Sequence, residues 1–372
     1  MVADSEAYRG LRPTVNTAAA VSEPVNRALP QVLVLGCGGT IASTRGPGGA
    51  SAVPALDAAA LVAAVPELAG LARISARTFS VAPSAHTTLS DVVRLRDVAR
   101  AWADERGSAG VGVVITQGTD TLEEVAFALD LLWDRATPLV LTGAMRNPSL
   151  AGPDGPANLR AAVATALCPQ ARGAGVLVAF NDEIHAASLL RKAHTANVAA
   201  FTSPALGPLG YLAEGIAQIP LALRDPRPRM ALERGALVDV PVALVTIPIG
   251  DDGRLLDHVH AAGYRGLVIE AMGGGHLPSV VAAGAAVRDL VAEMPVVLSS
   301  RTGSGEVLQR TYAFPGSESD LIARGLIPSG RLDGRKSRVL LALALAGGAD
   351  RARIAEAFAA FTTRAAGADP TC

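Results

Sequence analysis

Apolar positions along this chain follow two periods. Short aliphatic and β-branched runs at 32–35, 111–116, 139–142 and 176–180 read as strands buried on both faces. Between the last three, apolar residues recur at three- and four-residue spacing over 122–133 and 157–167, which predicts helices. Residues 89–102 read the same way, with Val92, Leu95, Val98, Ala99 and Trp102 on one face and Ser90 or Asp91 as the cap. Strands alternating with helices predict an α/β fold, a mostly parallel sheet covered by helices on both faces. The pattern breaks at 221–239 into R-D-P-R-P-R and E-R-G, a composition suited to a linker. Alternation then resumes, with strands expected at 242–249, 266–270 and 295–299 and helices at 279–291 and 337–346. The expected organisation is two α/β domains: a tail at 1–29, a larger N-terminal domain at 30–220, a linker at 221–240 and a smaller C-terminal domain at 241–372.

Composition narrows the partners. With 372 residues, half of them hydrophobic, and a formal net charge of -1, the chain has core enough for two domains and no electrostatic pull toward nucleic acid or membrane. Residues 1–29 carry Asp4 and Glu6 early and lack a continuous apolar segment, so they read as a disordered tail of a cytoplasmic protein. Cys37, Cys168 and Cys372 are odd in number and far apart, which predicts neither a disulfide framework nor a zinc site. His258 and His260 are two apart, share no helix face and lack a third ligand, so no metal is expected there. Lysine occurs only at Lys192 and Lys336, which leaves few candidates for a catalytic amine.

The candidate chemistry sits in two turns. Gln117-Gly118-Thr119-Asp120 links the run at 111–116 to the next helix, and Thr121 with Glu124 spells a capping box. Carboxyl ends of strands in open α/β sheets are where ligands bind. Threonine, aspartate and glycine are also ordinary turn and capping residues. What sets Thr119 and Asp120 apart is a second strand-to-turn segment, Gly36-Cys37-Gly38-Gly39-Thr40, that offers another hydroxyl. Its spacing is not G-x-G-x-x-G, which argues against a dinucleotide site. The Gly-rich residues 43–52 read as a lid. A threonine hydroxyl needs a base or proton relay and donors for the oxyanion it creates; Asp120 and the amides of the two turns supply candidates.

G-G-T-I-A-S at 38–43 and T-Q-G-T-D-T-L-E-E at 116–124 resemble the two signature motifs of the bacterial-type L-asparaginase/glutaminase family. Further matches are G-A-M-R-N-P-S at 143–149, D-G-P-A-N-L at 154–159, G-P-L-G-Y at 207–211 and S-S-R-T-G at 299–303. The resemblance implies hydrolysis of a small amide, asparagine first among them, without a cofactor or metal, by a homotetramer built as a dimer of dimers. It makes Thr40 the primary nucleophile, Thr119 the second active-site threonine and Asp120 the binder of the substrate's amino group, with Gly39 and Gly118 lining the site. Ser84, expected in a turn after a strand at 79–81, would hold the substrate carboxylate, with His86 close by. His276 falls where the resemblance implies an asparagine supplied by a neighbouring subunit.

Two departures matter. No tyrosine lies between Thr40 and Pro66, where the family places one. Ungapped counting from Gly155-Pro156 to Gly175-Val176 puts Pro169 at the position expected for the relay lysine. Lys192 or Arg172 is then the substitute, unless Thr119 and Asp120 work through water, at lower efficiency or on a different amide, or hydrolysis is lost and the protein binds a small acidic amide as a sensor.

Overall fold

The computed structural model describes residues 29–45, 52–107, 111–223 and 228–362. The expected tail at 1–29 lies almost wholly outside these residues, as does the middle of the expected lid.

In chain order the strands are β1 Gln31–Gly36, β2 Ser43–Arg45, β3 Ala52–Pro54, β4 Arg73–Thr78, β5 Val111–Thr116, β6 Leu139–Thr142, β7 Val176–Phe180 and β8 Glu183–Ala186. They continue as β9 Arg191–Lys192, β10 Phe201–Thr202, β11 Gly210–Ala213, β12 Ile216–Gln218, β13 Val242–Thr246, β14 Gly266–Ala271, β15 Val296–Ser300 and β16 Ile327–Pro328. The larger sheet has eight strands in the order β12-β11-β8-β7-β6-β5-β1-β4. It is parallel from β4 to β7 and antiparallel from β7 to β12. The smaller sheet, β13-β14-β15-β16, is wholly parallel. This is the expected two-domain α/β architecture.

Side chains alternate across the larger sheet as a pleated strand requires. Leu33, Leu35, Val113, Ile115, Leu139, Leu141, Val176 and Val178 face helices Leu89–Arg106 and Leu122–Leu132. Val114, Val140, Leu177 and Ala179 face helix Gly155–Leu167 on the other side, in a core that Val32 and Val34 share where β1 packs on helix Ala58–Ala63. Helix Leu122–Leu132 is buried nearly all round, because helix Gly334–Ala346 of the second domain packs on its outer face. Each fully buried leucine there contributes on the order of 2 kcal/mol. One continuous core therefore joins the two domains, and Phe127 of the first meets Phe361 edge to face at 5.8 Å.

Register decides where chemistry is possible. Gly36 pairs with Thr78 on one side and Thr116 on the other, and Thr116 pairs with Thr142. Four strands thus end level, and the turns that follow them open on one edge. From β1 the chain moves outward to β4, then returns to β5 on the opposite side of β1 and continues toward β7. The gap between the ends of β1 and β5 is the topological switch point, where open α/β sheets form crevices.

Several local expectations change. Thr88, rather than Ser90 or Asp91, caps helix Leu89–Arg106, and Asp91 completes the box as its third residue. The strand before Ser84 is Arg73–Thr78, not 79–81. The helix expected over 279–291 is two, Ser279–Ala283 and Ala285–Glu293, meeting at the extended Gly284. Of the lid, Ser43–Arg45 and Ala52–Pro54 form a small hairpin with Thr44 opposite Val53, and residues 46–51 lie outside the described residues. The short strands from β8 to β12 were not predicted; they are brief and without a clean period.

Candidate active site

The two Gly-rich turns touch at the switch point. Cys37 N–H donates to Thr116 O, which carries the pairing of β1 and β5 one residue past the strand ends. Gly38 and Gly39 then take positive φ of 72° and 80°, a region that favours glycine. A Cβ on Gly39 would fall 2.1 Å from the Gly118 Cα, so only glycines permit this approach. Thr40 directly follows Gly39 and Thr119 directly follows Gly118. Thr40 opens a single 3-10 turn, Thr40–Ala42, and is partly exposed, whereas Thr119 is buried.

Ser84 joins these turns from the segment after β4. A Cβ on Gly118 would lie 2.6 Å from the Ser84 Oγ, and that oxygen accepts the Asp120 N–H at 3.3 Å. Thr121 corrects the expectation of a capping box: its hydroxyl makes no cap hydrogen bond and instead donates to Ser84 O at 2.9 Å. The side chain predicted to start a helix ties the second turn to the serine. His86 lies behind this layer, lining a small cavity with Cys37, Asp91 and Gln117. Burial there, with Asp91 adding to it, pushes the Cys37 thiol up to about 12, so it is inert.

The third and fourth motifs brace the turns from beneath. Gly143 is packed so closely that a Cβ would sit 2.5 Å from Gln117 O and 3.3 Å from the Thr119 methyl. Its carbonyl accepts from the buried Asn158 amide at 3.0 Å, and Asn158 Oδ1 accepts the Asn181 N–H. Asp154 accepts the N–H groups of Met145 and Arg146. Gly155 leaves space for Ile41, whose Cγ1 would lie 2.9 Å from an added Cβ.

Lys192 brings an amine to the second turn. Its Nζ donates to Thr119 Oγ1 at 3.0 Å and to Asp120 Oδ1 at 3.1 Å, forming an ion pair with the latter. The expectation built on position 169 is overturned by topology. Pro169 begins a 3-10 turn after helix Gly155–Leu167 and just before β7, at the amino edge of the sheet and so opposite the turns. Arg172 is exposed at that same edge and is excluded with it. Lys192 comes after the carboxyl end of β7 and the hairpin through β8, and reaches the correct edge. A gap of about one hairpin separates the ungapped count from the residue that arrives.

His276 stands apart, in the second domain. Its Nε2 lies 3.1 Å from Glu318 Oε2 and its ring packs edge-on against Tyr312 and Phe314, both half-exposed. Burial raises the Glu318 carboxyl, but N–H bonds from Tyr312 and Thr311 and the His276 ring outweigh it and hold the group below its usual range. His258 and His260 show no ligand set, and among the described residues no group of three or more His, Cys, Asp or Glu could hold a metal ion.

Glu123 and Lys336 carry no assigned role on sequence grounds alone. Glu123, buried, accepts the Lys192 N–H at 3.0 Å, and Lys336, also buried, donates to Leu190 O at 2.6 Å. Lys336 being one of two lysines in an arginine-rich chain was the signal available.

Residues 31–222 match the family model for the asparaginase N-terminal domain, and residues 241–358 match that for the glutaminase/asparaginase C-terminal domain. The chain is 35% identical over 341 residues to a probable L-asparaginase of Deinococcus radiodurans, which covers 89% of this chain and 98% of that protein. To L-asparaginase 2 of Escherichia coli (strain K12) it is 33% identical over 339 residues, covering 89% and 93%. The crystal structure of a probable cytoplasmic L-asparaginase from Campylobacter jejuni aligns with a TM-score of 0.76 at 33% identity, covering 89% of this chain and 99% of that one.

Proposed function

Since the chain belongs to the asparaginase family and is an asparaginase-type amidohydrolase, we propose that it converts L-asparagine to L-aspartate and ammonia through a threonine nucleophile. The observation that carries this reading is the Lys192 ammonium between Thr119 and Asp120. A hydroxyl, an amine and a carboxylate in one hydrogen-bonded line make a proton relay.

Thr40 Oγ1 attacks the side-chain amide carbon, and the resulting oxyanion is met by main-chain N–H groups of the two turns. The C–N bond breaks, the nitrogen takes the proton that the Thr40 hydroxyl gave up on attack and leaves as ammonia, and the acyl group remains on Thr40. Water then attacks that ester, passing its proton to Thr119 as Thr119 gives one to Lys192 and the Lys192 ammonium gives one to Asp120; that proton returns to Thr40 as the ester C–O bond breaks, and aspartate departs. Asp120 pairs with the substrate's amino group, Ser84 with its carboxylate, and Gly39 and Gly118 keep the floor of the site free of side chains.

The same reading takes residues 30–220 and 241–372 as the two domains, joined by 221–240. It takes the assembly as a cytoplasmic homotetramer, a dimer of dimers in which His276 reaches a neighbour's site. The exposed Tyr312 and Phe314 beside His276 support a subunit contact there. No helix among the described residues is long and apolar enough to cross a membrane. The tyrosine-free segment after Thr40 favours one second reading, a different small amide as the best substrate. Ammonia release from asparagine, glutamine and a panel of small amides, by wild type and Thr40→Ala, separates these. Turnover of asparagine by wild type alone supports the proposal. Equal background in both proteins, with aspartate or asparagine bound tightly by calorimetry, would make the protein a binder.

A further inference from the structure

Three consecutive residues, Leu190, Arg191 and Lys192, are each held by the second domain or by a group anchored to it. The Lys336 ammonium, buried at the start of helix Gly334–Ala346, donates to Leu190 O at 2.6 Å. Arg191 lies across Gly303, where an added Cβ would sit 1.7 Å from its guanidinium nitrogen, and Gly303 has φ of 81°. Glu123 Oε2 accepts the Lys192 N–H at 3.0 Å, while its Oε1 is 2.7 Å from Arg335 and its Oε2 is 3.8 Å from Lys336. Asp333 caps the same helix and bonds Lys336 at 3.1 Å. Burial raises the Asp333 carboxyl, but Lys336 and Arg335 outweigh it and keep the group below the usual carboxylate range.

Such an arrangement has to be explained, because burying the Glu123 carboxylate and the Lys336 ammonium, with Asp333 partly buried beside them, is costly unless each is paired. The strand it grips is only two residues long, β9, and has one partner strand, β10. By itself so short a ladder could not hold a long side chain at fixed height over Thr119. From these facts we propose that Lys336 and Glu123 are positioning residues for the relay, clamping the main chain on both sides of Arg191 so that the second domain sets the reach of the Lys192 amine. The inference rests on the proposed role of Lys192.

The test is a double-mutant cycle in the full-length protein, read as kcat and KM for ammonia release well below the unfolding temperature. Lys336→Met keeps the stem and removes the donor to Leu190 O. Its kcat should fall by about 10- to 100-fold, the scale of a small misplacement of a reacting group, with KM changed by less than about threefold. Lys336→Arg, which keeps a cationic donor, should recover most of that loss. In a Lys192→Met background, adding Lys336→Met should cost nothing further. An equal loss in both backgrounds, or no loss in the first, overturns the proposal. Should Lys336→Met fail to fold, Glu123→Gln is carried through the same cycle with the same expected pattern.

A wild type that releases no ammonia from any amide would sink the functional reading without deciding the clamp. The crystal structure of Lys336→Met then decides it. Displacement of the Lys192 Nζ from Thr119 supports the clamp, and an unchanged 3.0 Å contact overturns it.

Discussion

The Lys192 amine lies 3.0 Å from the Thr119 hydroxyl, a residue 73 positions earlier in the chain. Two elements that share no local sequence relation are brought together because both reach the carboxyl edge of one sheet. The lysine arrives from a hairpin excursion beyond β7, the threonine from the turn after β5.

Removing the amine should therefore remove the chemistry while leaving the fold. Lys192→Met is expected to lower kcat by roughly 10²- to 10⁴-fold, the usual contribution of a positioned proton-transfer group. Lys192→Arg should restore the ion pair with Asp120 but little of kcat, since a guanidinium does not give up its proton near neutral pH. Ammonia release measures both. A methionine variant turning over at the wild-type rate would take Lys192 out of the reaction.

Gly39 tests the close approach of the turns. Alanine there must hold φ near 80° and place its Cβ 2.1 Å from the Gly118 backbone, so the two turns have to separate. Strain and overpacking of this kind cost about 1–3 kcal/mol. Thr40, the next residue, would move with the turn, and Gly39→Ala should lose activity out of proportion to its drop in melting temperature. An alanine variant with both properties intact would show that the turns tolerate parting.

How much of this could be read from the chain itself depends on distance along it. The turns at 37–40 and 117–120 were legible because strand, glycines and hydroxyl are contiguous, and the β-branched runs before them identify themselves by burial on both faces. Thr121 misled, since a capping spelling is local while its actual acceptor, Ser84 O, comes from another segment. Lys192 reads from the sequence only as a substitute, because counting residues cannot reveal that the interval between helix Gly155–Leu167 and β7 faces the amino edge. Glu123 and Lys336 gain no role from the sequence for a related reason: each bonds main-chain atoms of a segment far away along the chain.

Acid sensitivity should trace in part to His185. Its ring is fully buried on β8, with Nδ1 2.9 Å from Ser203 Oγ. Burial pushes its pKa down from 6.5 to about 4. Glu183, 3.3 Å from Nε2, favours the charged ring, but it is half in solvent and burial prevails. The folded state thus binds this proton less readily than the unfolded chain. The associated stability is complete above about pH 6.5 and is lost as pH falls toward 4, a change of about 3 kcal/mol across the interval. His185→Gln, neutral throughout, should flatten the pH dependence of urea midpoints in that window. Parallel curves for the two proteins would refute the assignment.

Asn158 offers a test of the brace under Thr119. Its amide nitrogen donates to Gly143 O and its oxygen accepts from Asn181 N, all within the buried layer between helix Gly155–Leu167 and the sheet edge. Asn158→Leu preserves volume and removes these bonds and a third, to Asp154 Oδ2 at 3.2 Å, leaving a buried carbonyl and a part-buried N–H without partners. Each such group costs about 1–3 kcal/mol, so the variant should lose about 2–5 kcal/mol in denaturant unfolding. Because Gly143 packs against Gln117 O and the Thr119 methyl, release of its carbonyl also loosens the turn that carries Thr119. Activity should fall further than the folded fraction does, and Asn158→Asp, which keeps the acceptor for Asn181 but loses the donor to Gly143 and faces the Asp154 carboxylate, should likewise lose more activity than its loss of stability accounts for. If instead the two variants lose stability and rate in the same proportion, the brace serves folding alone and Thr119 is held by other means.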